Sequence, residues 1–103
     1  MEKLLNLLQE FYWENRKFSN DDWLLTMTNW VENLSGAYAQ TYIISKQGWF
    51  IKWLVENDKI DLENEELISL MSELWERRNP VKCLLMLLSI QDEPINFLVS
   101  ILK

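Results

Sequence analysis

The chain has 103 residues, 49% hydrophobic and 25% charged, a balance near the globular average that excludes a disordered or membrane-spanning class. Sixteen acids against ten bases leave a formal net charge of −6, which disfavours direct binding to nucleic acid or anionic lipid and favours a basic partner. Histidine is absent and cysteine occurs once, so the commonest general base, the commonest transition-metal ligand and an internal disulfide are all missing.

With two glycines, two prolines and no sustained period-2 alternation, the pattern predicts an all-α fold. The expected architecture is a compact bundle of about five to seven short helices in a single domain, 1–103, long enough to bury roughly two-thirds of its unfolded surface. Helix 1 is predicted from about Lys3 to Asn15, where Leu4, Leu5, Leu8, Phe11 and Tyr12 form one stripe and Trp13 falls off it. This stretch also carries Glu2 and Glu10, unlike the continuous apolar core of a secretory signal, so export is not expected.

Ser19-Asn20-Asp21 offers capping side chains to helix 2, whose Trp23, Met27, Trp30, Val31 and Leu34 share a face. Gly36 then stands where a left-handed C-terminal cap belongs. In Ala37 to Ser45 the alanines favour helix and Thr41-Tyr42-Ile43-Ile44 favours strand; a short helix is the expectation. From Gly48 to Asn57 only Lys52 and Glu56 make a polar strip, which predicts a central, buried helix.

Asp61 is expected to cap a helix from about Leu62 to Arg77, with Leu67, Ile68, Leu70, Met71, Leu74 and Trp75 on one face. Its acidic start and its Arg77-Arg78 end suit the helix dipole. Asn79 is expected to cap the next helix, with Pro80 at its first position, and this helix reads as apolar on every side except Lys82 and Ser89. A last helix follows Asp92, with Pro94 in its first turn and Ile95, Leu98, Val99 and Leu102 inward. Cys83, within Val-Lys-Cys-Leu-Leu, reads as a small buried hydrophobe suited to a reducing cytoplasm. Glu14 to Phe18 echoes Glu56 to Ile60, which shared helix-end chemistry explains as well as duplication does.

No catalytic constellation can be assembled. Ser-His-Asp and Cys-His devices are impossible, the two glycines are isolated, and Asp58 to Glu63 places basic or apolar groups where a calcium loop needs oxygens. A non-enzymatic protein without cofactor or metal is therefore expected.

What remains is contact. Trp13 on the polar side of helix 1, Leu25 opposite the helix 2 stripe and Phe97 off the last stripe are candidate anchors for a partner, or are covered by another segment. Glu56, Asp58, Asp61, Glu63, Glu65 and Glu66 crowd six carboxylates around Lys59 alone. Such a block is either a solvated turn with dipole-matching acids or a surface imitating a phosphate backbone. In texture the chain is similar to the small, acidic, histidine-poor accessory proteins of bacteriophages and mobile elements, with no motif that carries over. The expectation is a small acidic helical protein that binds and modulates or inhibits a protein partner with a basic surface, in the cytoplasm, that of a host cell for a phage protein. The alternatives are a nucleic-acid-mimicking inhibitor of the anti-restriction or anti-CRISPR type and a structural subunit of a homo-oligomer.

Overall fold

Apolar residues at helical spacing, interrupted by short polar runs, make most of the described residues helical. The computed structural model describes residues 1–18, 21–33, 47–74 and 79–103. Among them lie six α-helices: α1 (Glu2–Asn15), α2 (Asp21–Asn33), α3 (Gly48–Glu56), α4 (Glu65–Leu74), α5 (Pro80–Ile90) and α6 (Pro94–Ile101). A 3-10 turn, Arg16–Phe18, continues α1. The fold is all-α, as predicted, and no described helix is long and apolar enough to cross a membrane. The Ser19-Asn20 cap, Leu34, the Gly36 turn, the 37–45 segment, Trp75, Arg77 and Arg78 lie outside the described residues.

α1 buries Leu4, Leu7, Leu8 and Phe11. Leu7 was not on the predicted stripe, whereas Leu5 and Tyr12, which were, are only half-buried. The shift has a plain cause: α2 and α3 both pack on α1, so its inner face is broader than one stripe and is centred nearer Leu4, Leu8 and Phe11. On α2, Met27, Trp30 and Val31 are buried as expected, while Trp23 is half-buried at the margin.

The end of α3 follows from a single residue in the left-handed region. Asp58 has φ 57°, the Asp58 N–H donates to the Val55 carbonyl at 3.2 Å, and the Lys59 N–H donates to the Leu54 carbonyl at 2.8 Å. These are the two bonds of a Schellman ending, and aspartate is among the few non-glycine residues that tolerate the backbone it needs. The Asn57 side chain donates to the Trp53 carbonyl at 2.9 Å, just as the Asn15 side chain donates to the Phe11 carbonyl at 2.9 Å. The echo between the two stretches is thus a shared way of covering the last carbonyls of a helix.

α4 begins later than predicted. Asp61, expected as its cap, instead accepts the Glu63 N–H at 3.1 Å in a local turn. The cap is Asn64, whose Oδ1 accepts the Leu67 N–H at 3.0 Å, so the helix starts at Glu65 with Glu65 and Glu66 in its first turn. Asp61 closes a turn instead of a helix, and the backbone beside it is tied to the C-terminal segment. The Asp61 N–H donates to the Ile101 carbonyl at 2.8 Å and the Lys103 N–H donates to the Lys59 carbonyl at 3.0 Å, around an isolated antiparallel bridge between Ile60 and Leu102. Ile60 is thereby drawn into the core.

Asn79 caps α5 as expected, its Oδ1 accepting the Lys82 N–H at 3.1 Å, and Pro80 occupies the first turn. Cys83 is buried, its thiol directed at the Met71 carbonyl. Contacts of α5 with α3, α4 and α6 make it the central helix, and α1 joins α2 to α3 on the other side. Two polar groups sit uneasily in this core: among the described residues neither the fully buried Gln47 amide nor the Trp30 indole N–H has a hydrogen-bond partner.

Candidate interaction surface

The C-terminal half of α1 gathers aromatic side chains from three helices. Phe11 lies 5.2 Å from Trp23, 5.5 Å from Phe50 and 5.5 Å from Trp53, centroid to centroid, so one ring on α1 ties α2 to α3. Tyr12 stacks on Trp23 at 6.3 Å and Phe50 on Trp53 at 6.3 Å. Such tilted and offset pairs add to plain area burial because ring edges are positive and faces negative.

This cluster reaches the surface between α1 and α3. A groove there is lined by Phe11, Asn15, Trp49, Lys52, Trp53 and Glu56. The Trp53 indole N–H donates to the Glu14 carboxylate at 2.7 Å, while the Lys59 ammonium stands 5.9 Å from the centre of the Trp53 ring. Lys59 pairs with Glu10 at 3.8 Å, and Lys52 with Glu56 at 3.8 Å. Both pairs are open to water and contribute little to stability. Glu14 differs from the other two carboxylates at this margin: its partner is a neutral indole, and among the described residues no cation lies in ion-pair range of it.

Of the predicted anchors, Trp13 is 62% exposed and Leu25 60% exposed. The Arg16 guanidinium sits 5.2 Å over the Trp13 ring and Tyr12 meets it edge-on at 6.1 Å, so the indole is held in place from two sides while most of it faces solvent. Phe97 is half-buried against the core and presents much less of itself. Helices α3 and α5 are not enclosed as their composition implied, since Trp49 (53%), Met86 (38%) and Ile90 (61%) are exposed. Trp49 was not among the candidates, although it stands three and seven positions before Lys52 and Glu56 and so shares the one polar side of α3.

The acidic residues are spread over three local tasks. Glu56, Asp58, Glu63, Glu65 and Glu66 are exposed and Asp61 half-buried. Asp58 shapes the end of α3 and meets Lys103 at 2.6 Å, Asp61 turns the loop, and Glu65 and Glu66 open α4. Asp58, Asp61 and Glu63 nevertheless act on one point. The hydrogen bond that Lys103 donates to Asp58, and then the charges of Asp58, Asp61 and Glu63, hold the Lys103 ammonium above its ordinary value of 10.5, against an opposing effect of desolvation. Among the described residues no group of three or more carboxylate or thiol side chains is arranged to hold a metal ion.

Comparison with protein-family models, with curated proteins and with solved structures returns no significant match.

Proposed function

We propose that this is a non-enzymatic helical protein that acts by contact, binding a protein partner and modulating or inhibiting it. The observation that carries the reading is Trp13: a large indole, 62% exposed, clasped by Arg16 and Tyr12. Exposing a tryptophan in water is unfavourable, and rigid aromatic anchors at the edge of charge are the side chains that dominate protein interfaces. The excess of acid supports a partner whose facing surface is basic. The accessory-protein texture of the chain is consistent with such a steric role inside a host cell.

The test is affinity capture from the native host by the parent protein and by Trp13→Ala. Loss of the captured partner with an unchanged melting temperature supports the anchor. An unchanged capture with reduced stability would make Trp13 part of the scaffold instead.

A second reading, a mimic of nucleic acid, is supported by the exposure of Glu56, Asp58, Glu63, Glu65 and Glu66 within eleven residues. Asp58→Lys, Glu63→Lys and Glu66→Lys combined should abolish capture and its salt dependence if that surface carries the interaction. Trp13→Ala would then leave capture intact.

A further inference from the structure

Where α1 ends, the exposed Trp13 indole carries the Arg16 guanidinium 5.2 Å above its ring, and Lys17, next in the chain, is exposed as well. Among the described residues neither cation has a carboxylate in ion-pair range, in a chain with sixteen acids. Lys52, Lys59 and Lys103 are by contrast each paired with an acid. The two acids on this half of α1 are engaged elsewhere, Glu10 with the Lys59 ammonium at 3.8 Å and Glu14 with the Trp53 N–H at 2.7 Å. Resting on the reading that Trp13 anchors a protein partner, we propose that this corner receives a carboxylate of that partner, an aspartate or glutamate side chain held by the Arg16 guanidinium while apolar surface next to the acid covers the Trp13 ring.

The chemistry selects the occupant. Indole, guanidinium and ammonium are all donors without an acceptor, so a cation is repelled and an anion is the group that matches them. The ring attracts Arg16 through its quadrupole and leaves the in-plane N–H groups of the guanidinium to other acceptors, a fork that fits the two oxygens of a carboxylate. A purely apolar partner would cover the ring but strip water from the guanidinium and return no hydrogen bond, which is costly. A nucleic-acid backbone offers anions too, but as a polyanion it meets the whole chain at its net charge of −6 and is turned away. A single carboxylate on a partner whose wider face is basic is not. Forces between exposed charges fade over about 8 Å at physiological salt, so the acid excess governs the approach and Arg16 and Lys17 govern this contact.

Heteronuclear spectra of the Trp13 indole N–H and the Arg16 side-chain N–H test this with the intact protein, titrated at constant ionic strength with the blocked peptide acetyl-Leu-Glu-Leu-amide and with its glutamine and lysine counterparts. The glutamate peptide should give saturable shifts at both groups, the glutamine peptide should bind about tenfold more weakly, and the lysine peptide should give none. Arg16→Gln, at an exposed position, should weaken the glutamate peptide about tenfold, as loss of one charge-assisted pair does, and Arg16→Lys, which keeps the charge without the fork, should weaken it severalfold. Equal affinity for the glutamine peptide, absent shifts with the glutamate peptide, or unchanged affinity in Arg16→Gln would overturn the assignment. The two readings fail separately. If Trp13→Ala loses the captured partner while Arg16→Gln captures it as the parent does, Trp13 is an anchor that meets no acid and this inference falls alone. If Trp13→Ala keeps the partner while the glutamate shifts stand and vanish in Arg16→Gln, the anchor reading falls and the carboxylate site survives.

Discussion

Phe11 is the side chain on which the packing of three helices can be measured most directly. It is 2% exposed and faces three rings, Trp23, Phe50 and Trp53, at 5.2 to 5.5 Å. Truncation to alanine removes transfer free energy and leaves a cavity, a loss of about 3–5 kcal/mol by analogy with other core phenylalanines. Leucine keeps most of the apolar bulk and removes the ring electrostatics. One pair is worth about 0.5–1.5 kcal/mol beyond its area, and three pairs sharing a ring do not sum fully, so Phe11→Leu should cost about 1.5–3 kcal/mol. Urea unfolding followed by circular dichroism reads this out: with a slope of about 1–3 kcal/mol per molar, a loss of ~2 kcal/mol lowers the midpoint by roughly 1 M. Leu25→Ala, at a position 60% exposed, is the control and should fall within about 0.5 kcal/mol of the parent. A Phe11→Leu midpoint indistinguishable from that control would mean that the rings act only as volume and that no aromatic junction joins α1 to α2 and α3.

The assignment of Asn64 rather than Asp61 as the cap of α4 predicts that Asn64→Ala costs about 1 kcal/mol and Asp61→Ala only a few tenths, measured by the same denaturation; the opposite order would return the cap to Asp61. Asp58→Asn should lower the Lys103 titration toward 10.5 while keeping a residue that accepts the left-handed backbone, as followed by the Lys103 side-chain resonances. The raised folded-state value means that the pair's stabilisation is present in full below about pH 10.5 and fades as pH climbs through the folded value. An identical Lys103 titration in Asp58→Asn would separate the two residues electrostatically.

The helices themselves were legible because they are written in short-range chemistry. Asn79-Pro80 and Pro94 mark helix starts through one missing N–H and one side-chain acceptor, and both stand where they were expected. The Met27, Trp30 and Val31 face of α2 follows from a period of 3.6 and nothing else. The start of α4 was misplaced for a long-range reason: Ile60 bridges Leu102, more than forty residues away, and a turn led by Asp61 follows that pairing before Asn64 begins the helix. No local rule encodes a contact made by the far end of the chain.

The surface was less legible than the core, and α3 shows why. Its residues Trp49, Phe50, Ile51, Trp53 and Leu54 are all strongly apolar, and only the Lys52 and Glu56 strip marks an outer side; Trp49, three and seven positions before them, shares that side. The tertiary structure ranks them by what is available to cover each: α5 and α1 enclose Phe50, Ile51, Trp53 and Leu54, and Trp49 is left half in solvent. Trp13 lay in the opposite situation, alone among Asn6 and Glu10 on a polar face, and there its wheel position was sufficient. The bond between Trp53 and Glu14 carried no sequence signal, because an acid at the end of a helix is ordinary until an indole N–H thirty-nine positions away is brought against it. The surface proposed to meet a partner is therefore a product of which neighbours α1 acquires, and α2 and α3 are those neighbours.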